Sequence, residues 1–247
     1  MLENLLANSE YHALDNSSFE PFIFASKIVS LVLALFVTVY AYNFYKIFRS
    51  LVLLGLILGF GFMALADILM IITIPVHKDP ILFNLFFWMR LFVSAYGFTF
   101  LALSYHCSTK ERGKANSFVL KISILSVIPV FAMLTWFSNS SIFPPFTNYD
   151  EYFRVYNICA LGYVFIKSLQ YSVSKVRKDF MYLTIAYGIL WMGTFSLLFF
   201  TLDGSLSAVV ASYVAKDVGL AIFVIMIYCI GKDKSSLKTG VKTSQEI

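Results

Sequence analysis

The chain has 247 residues, of which 59% are hydrophobic and 13% charged. Soluble domains carry about 25% charged residues, so the composition excludes an ordinary soluble globular domain and indicates a membrane protein. The formal net charge of +5 tracks the one-sided placement of Lys and Arg described below and belongs to membrane topology, with no nucleic-acid partner.

The first twenty residues contain Glu3, Glu10, Asp15 and Glu20 and no Lys or Arg. That is the reverse of a signal-peptide n-region, so the expectation is an acidic extracytoplasmic segment, 1–21, without a cleavable signal. Windows of about 20 apolar residues then predict seven spans, near 22–45, 51–74, 82–106, 118–137, 153–172, 180–202 and 207–230. Backbone groups in lipid must be satisfied within the segment, which makes the spans helices. The predicted fold class is all-α: a polytopic seven-transmembrane-helix bundle over 22–230, followed by a basic cytoplasmic tail, 231–247. The loops are short, so no second domain is expected.

Lys46 and Arg49, then Lys110, Arg112 and Lys114, then Lys175, Arg177 and Lys178, and finally Lys232, Lys234, Lys238 and Lys242 fall on one side of these spans; the other side holds little beyond Lys78 and Arg154. Basic residues mark the cytoplasmic side. The N-terminus is therefore expected outside and the C-terminus in the cytoplasm, in a multi-pass protein of the cell membrane whose tail meets anionic lipid. Sequons at Asn16 and Asn139 fall on the outer side. Cys107, Cys159 and Cys229 lie in or beside different spans, which gives no disulfide framework.

Span 2 carries Gly55-x-x-x-Gly59 and Gly61, small residues at a spacing that lets helix backbones approach. The outer loop 138–152 contains Pro144 and Pro145 with Phe143, Phe146, Tyr149 and Tyr152, which fits the interfacial aromatic belt or a lid over an outward-facing pocket.

Charges within membrane helices are costly and mark functional sites by default. Asp67, Arg90, Lys216 and Asp217 lie deep in spans. Lys27 and Lys167 lie about 8 Å from span ends, within snorkelling reach. Asp67 and Arg90 fall about 10 and 12 Å below the outer ends of consecutive antiparallel helices, so an Asp67–Arg90 ion pair is the economical expectation. Lys216 lies near mid-span, beyond easy snorkelling, and needs a carboxylate, carbonyl or hydroxyl partner on a neighbouring helix, or a covalent role for its amine. Asp217 points about 100° away from it and needs its own partner.

Two families are resembled. Gly59 through Asp67, Phe87-Trp88-Met89-Arg90, Ala102-Leu103-Ser104-Tyr105 and Lys216-Asp217-Val218-Gly219 look like the seven-helix membrane sensor modules of archaea and bacteria. That resemblance implies a receptor-like protein without enzymatic activity, which signals through a separate partner or acts within a membrane complex. Ala215-Lys216 with Gly219, Trp88-Met89-Arg90 and Ala186-Tyr187-x-x-x-Trp191 resemble the microbial rhodopsins. That resemblance implies retinal as cofactor, a Schiff base at Lys216, a chromophore wall from Tyr187 and Trp191, and an outer half-channel ordered by Arg90. Val93 and Ser212 stand where that family carries its counter-ion carboxylates. A transporter or a structural subunit is a third reading. His12, His77 and His106 are too dispersed to form a zinc site, and no nucleophile elbow or phosphate loop is present, so neither catalysis nor a metal is expected.

Overall fold

A computed structural model describes residues 20–76, 79–107, 150–175, 178–203 and 206–243. The fourth predicted span, 118–137, residues 1–19 of the N-terminal segment, both sequons and most of the loop 138–152 lie outside the described residues.

The described residues form six helices: α1 (Glu20–Phe48), α2 (Leu51–Thr73), α3 (Pro80–Cys107), α4 (Asp150–Lys175), α5 (Lys178–Asp203) and α6 (Leu206–Thr243). Each coincides with a predicted span, and all but α2, which ends one residue short, overrun it by a few residues. The exception in length is α6, which runs 38 residues without a break, so the basic tail is helical as far as Thr243. Five of the six are long and apolar enough to cross a membrane. The sixth, α4, is long enough, but it bears Asp150, Glu151, Arg154 and Lys167 and falls short on composition.

The turn between α1 and α2 has two residues. Arg49 sits at φ 44°, and its N–H donates to Tyr45 O at 2.8 Å, the left-handed ending that usually falls to glycine. Ser50 then takes an extended conformation and opens α2. A turn this short forces α1 and α2 antiparallel.

The six helices pack as a closed ring, each against the next, with α6 against α1. Side-chain pairings give the directions. Along α2 and α3, Gly55 faces Ser104 and Gly59 faces Leu101, while Met70 meets Arg90 at 3.2 Å; numbers rise on one helix as they fall on the other. The same holds for α4 and α5, where Arg154 reaches Leu197 and Ser168 meets Thr184. Between α3 and α4 the order differs. Trp88 packs edge-to-face on Phe153, Thr99 shares a 2.6 Å hydrogen bond with Tyr156, and His106 Nδ1 lies 2.9 Å from the Tyr163 hydroxyl. Numbers rise together, so α3 and α4 run parallel. One face of the ring therefore carries the starts of α1, α3, α4 and α6 and the ends of α2 and α5; it is called the first face below.

The glycine motif of α2 serves the ring. A Cβ at Gly55 or Gly59 would collide with Ser104 and Leu101 of α3, and one at Gly97 would come within 3.0 Å of Gly59 O. Small residues on both helices bring the two backbones together.

The axis of the ring has two unlike halves. Toward the opposite face it is filled by Phe60, Tyr105, Tyr187 and Phe223, all buried. Their rings stack edge-on, with centroids 4.9 Å apart for Phe60–Phe223, 4.8 Å for Tyr187–Phe223 and 5.8 Å for Tyr105–Tyr187. This is a favoured aromatic geometry, and it closes the axis with side chains from four helices. Toward the first face the axis is polar.

Candidate functional site

The polar half encloses a cavity of about 110 Å³ to which all six helices contribute. A cavity needs only about 10–15 Å³ on the same scale to hold one water, so this one admits several waters or a small solute. Its charged lining is Lys27 of α1, Asp67 of α2, Arg90 of α3, Arg154 of α4 and Lys216 of α6. Counted along their helices at 1.5 Å per residue, these lie about 6–15 Å from the first face. Ser94, Asn157, Thr194, Ser212 and Tyr213 add neutral polar groups.

Lys216 is the hinge of the site. Its Nζ donates to both oxygens of Asp67 at 2.7 Å, joining α6 to α2, the two helices that flank α1. The Asp67 side chain is 3% exposed and that of Lys216 21%. Lys27 Nζ lies 3.5 Å from the same carboxylate and 4.3 Å above the Tyr213 ring. A carboxylate this deep is tolerable because cations flank it; alone it would cost several kcal/mol, on the order of the desolvation of a single ion.

The expected Asp67–Arg90 ion pair changes partner. Both residues line the one cavity, but among the described residues the bridges to Asp67 come from Lys216 and Lys27. Arg90 directs Nη1 to Met70 Sδ at 3.2 Å and stacks its guanidinium 4.7 Å from the centre of the Phe87 ring. Depth follows from residue count; which way a side chain faces follows from packing, and α6 presents Lys216 to Asp67.

Lys27 also departs from expectation. It does not snorkel to the interface: it is 4% exposed and turned inward beside Ser26 and Ser30, which are buried on the same stripe of α1. Lys167 instead meets Gln170 at 3.2 Å on the outside of the ring. Asp217 finds its partner in Ser26, whose hydroxyl donates to Oδ2 at 2.8 Å.

The residues singled out for a retinal pocket divide. Lys216 and Arg90 line the cavity. Tyr187 belongs to the aromatic plug. Trp191 turns toward α4, donating from Nε1 to Ile158 O at 3.2 Å and stacking on Phe165; neither residue lines the cavity.

Three participants escaped the sequence reading. Arg154, counted there as an outer-loop charge, is 7% exposed and donates to Leu197 O at 3.3 Å. Asn157, one turn further on, keeps a buried Oδ1 without a hydrogen-bond partner among the described residues. Gly193 lets α5 close on α6 beside Lys216, since a Cβ there would stand 3.1 Å from Ala215 Cβ and from Ser212 O. The available signal was the polar spacing Arg154-x-x-Asn157 near the start of the span, which puts both residues on one helix face. Compared with family models, with curated proteins and with solved structures, the chain finds no match.

Proposed function

We propose that this integral membrane protein is a non-enzymatic, seven-crossing receptor-like module with a binding cavity open to the outside, and that it signals through a separate membrane partner. The observation that carries the reading is the division of the ring axis: a polar cavity lined from every described helix on one half, an aromatic plug on the other. A closed far side suits a site that receives a ligand from one face and does not suit an open pore. Seven crossings are supported by the parallel run of α3 and α4. The chain leaves α3 at the opposite face and begins α4 at the first face, and the apolar segment 118–137 between them has the length for one crossing. The orientation rests on basic residues: Lys46 and Arg49 join α1 to α2 at the opposite face, which makes that face cytoplasmic.

The test is thiol accessibility in a background lacking Cys107, Cys159 and Cys229. A membrane-impermeant reagent added outside is expected to label Ser94→Cys in the cavity and to leave Met226→Cys, beyond the plug, untouched. Equal labelling of both indicates a continuous pore; protection of both indicates a sealed bundle. Either result removes the receptor reading.

One observation favours a second reading, the retinal protein. Asp67 stands against Lys216 at 2.7 Å, which supplies the counter-charge that Val93 and Ser212 lack. A protonated Schiff base at Lys216 would then be held by Asp67, and the pigment would absorb in the visible. Reconstitution with all-trans retinal tests it: the absence of a Lys216-dependent band ends this reading.

A further inference from the structure

The charges on the cavity wall are taken up by the fold. Lys216 and Lys27 both meet Asp67, Arg90 reaches Met70 and stacks on Phe87, and Arg154 donates to Leu197 O. Between these charges the wall is neutral and polar as well as apolar. Ser94 of α3, Asn157 of α4 and Ser212 of α6 line the space from three different helices. Polar groups at membrane depth are expensive and mark functional positions.

Asn157 says most about a guest. Its Oδ1 is buried without a hydrogen-bond partner among the described residues, and a buried acceptor in that state costs free energy that a donor would recover. Lys216 asks for the opposite. An ammonium has three donors; two go to Asp67, and with a side chain 21% exposed the third is there for an acceptor. A guest that serves both must donate and accept. A carboxylate only accepts and an ammonium only donates, whereas a hydroxyl does both. The Ser94 and Ser212 hydroxyls match such a guest in either direction, and Thr194, whose own proton goes to Trp191 O, can accept from it. Leu91, Phe98, Leu161 and Leu190 lie on the same wall. Water would leave these apolar patches uncovered, while a molecule that alternates C–H and O–H covers both kinds of surface. The volume of about 110 Å³ admits a guest of a few heavy atoms and excludes a long chain.

We infer that the cavity binds a small neutral polyol of glycerol size, its hydroxyls exchanged with Asn157, Ser94, Ser212 and Lys216 and its C–H faces against Leu91, Phe98, Leu161 and Leu190. The inference rests on the receptor reading, since it takes the cavity to be open to one face, and it deepens that reading by giving the ligand a chemical class.

The experiment uses the full chain in nanodiscs, in a background lacking Cys107, Cys159 and Cys229, with Leu197→Cys as the reporter. Leu197 lines the cavity, and Arg154 uses its backbone O, which the substitution keeps. The labelling rate is measured with glycerol, with 1-propanol, with propionate and propylammonium as the two ions, and with sucrose at matched osmolality as a polyol too large to enter. Glycerol at ten times its Kd is expected to slow labelling about elevenfold, because only the unliganded fraction reacts. Sucrose and both ions leave the rate unchanged, and 1-propanol, with one hydroxyl, protects at least tenfold more weakly in Kd. Asn157→Leu is expected to raise the glycerol Kd about tenfold, the loss of a hydrogen bond to a buried group; Ser212→Ala is the second variant should Asn157→Leu fail to fold. A glycerol Kd unaltered in the variants that fold overturns the placement, since a purely structural Asn157 or Ser212 would behave that way. Labelling that proceeds but that glycerol does not slow overturns the polyol assignment and leaves the receptor reading standing. Equal protection by propionate, propylammonium or 1-propanol also overturns it, because the site would then select charge or bulk, and equal slowing by sucrose reduces the effect to osmolality and overturns it too. A reporter that never labels overturns the open cavity and the assignment with it.

Discussion

Lys216 on α6 and Asp67 on α2 are joined by two hydrogen bonds of 2.7 Å on the inner side of the helix ring, although 149 residues separate them in the chain. The bridge ties two helices that are not neighbours around the ring, and it sits on the wall of the cavity.

Breaking that bridge from one side is expected to be expensive. Removal of one member of a buried pair costs about 3–5 kcal/mol, whereas replacement of both can be nearly neutral. Thermal denaturation of Lys216→Met, Asp67→Leu and the double variant should show strong coupling, with the double variant more stable than either single one. The same cycle with Asp67→Leu and Arg90→Gln should show weaker coupling. A larger coupling to Arg90 than to Lys216 would contradict the partner assignment.

The interface of α2 with α3 predicts unequal glycines. Gly59→Ala drives a methyl into Leu101 and is expected to destabilise by about 1–3 kcal/mol, the usual range for overpacking. Gly61→Ala meets only Thr38 Cγ2, at 3.8 Å, and should be neutral or slightly stabilising through helix propensity. Equal losses of melting temperature at the two sites would show that the motif has another role, such as a seam between two copies of the chain.

Arg49 holds a left-handed conformation at φ 44°, which costs a non-glycine residue about 1–2 kcal/mol. Arg49→Gly is therefore expected to raise stability by about 1 kcal/mol, less the greater entropy that glycine loses on folding. An unchanged or lowered melting temperature would mean that the Arg49 side chain contributes more than its backbone strain costs.

The parallel run of α3 and α4 predicts shared sidedness. Cysteines placed at Asp79 and Glu151 should react with an impermeant reagent from one side of the membrane, and a cysteine at Ser50 from the other. Labelling of Asp79→Cys and Glu151→Cys from opposite sides would contradict the parallel pairing.

Much of this architecture can be read from the amino-acid sequence, and the reasons differ by level. The helices follow from apolar run length, which is a local property. Asp67 and Lys216 stand out because charge inside a membrane helix is rare. Their partnership was not legible. Depth can be counted along each helix, but the direction in which a residue points depends on how α1, α2 and α6 rotate to bury Ser26, Ser30, Gly59 and Gly219, and no single span encodes that. Lys27 meets the same limit: about 8 Å from a span end leaves room to snorkel, and its inward turn becomes visible in the contacts with Asp67 and Tyr213. Tyr187 and Trp191, one turn apart in the chain, part company in the fold, with one in the plug and the other against α4.

The unbroken length of α6 has a mechanical consequence. From Lys216 to Thr243 there are 27 further residues of continuous helix, a rod of about 40 Å at 1.5 Å per residue. With its upper third pinned to Asp67 and its fulcrum near the tightly stacked Phe223, from which about 30 Å of helix remain, a tilt of about five degrees carries the far end through roughly 2.6 Å. Loosening one ammonium from one carboxylate thus converts, with no change in the helix itself, into a displacement comparable to the width of a side chain at the other end of the rod.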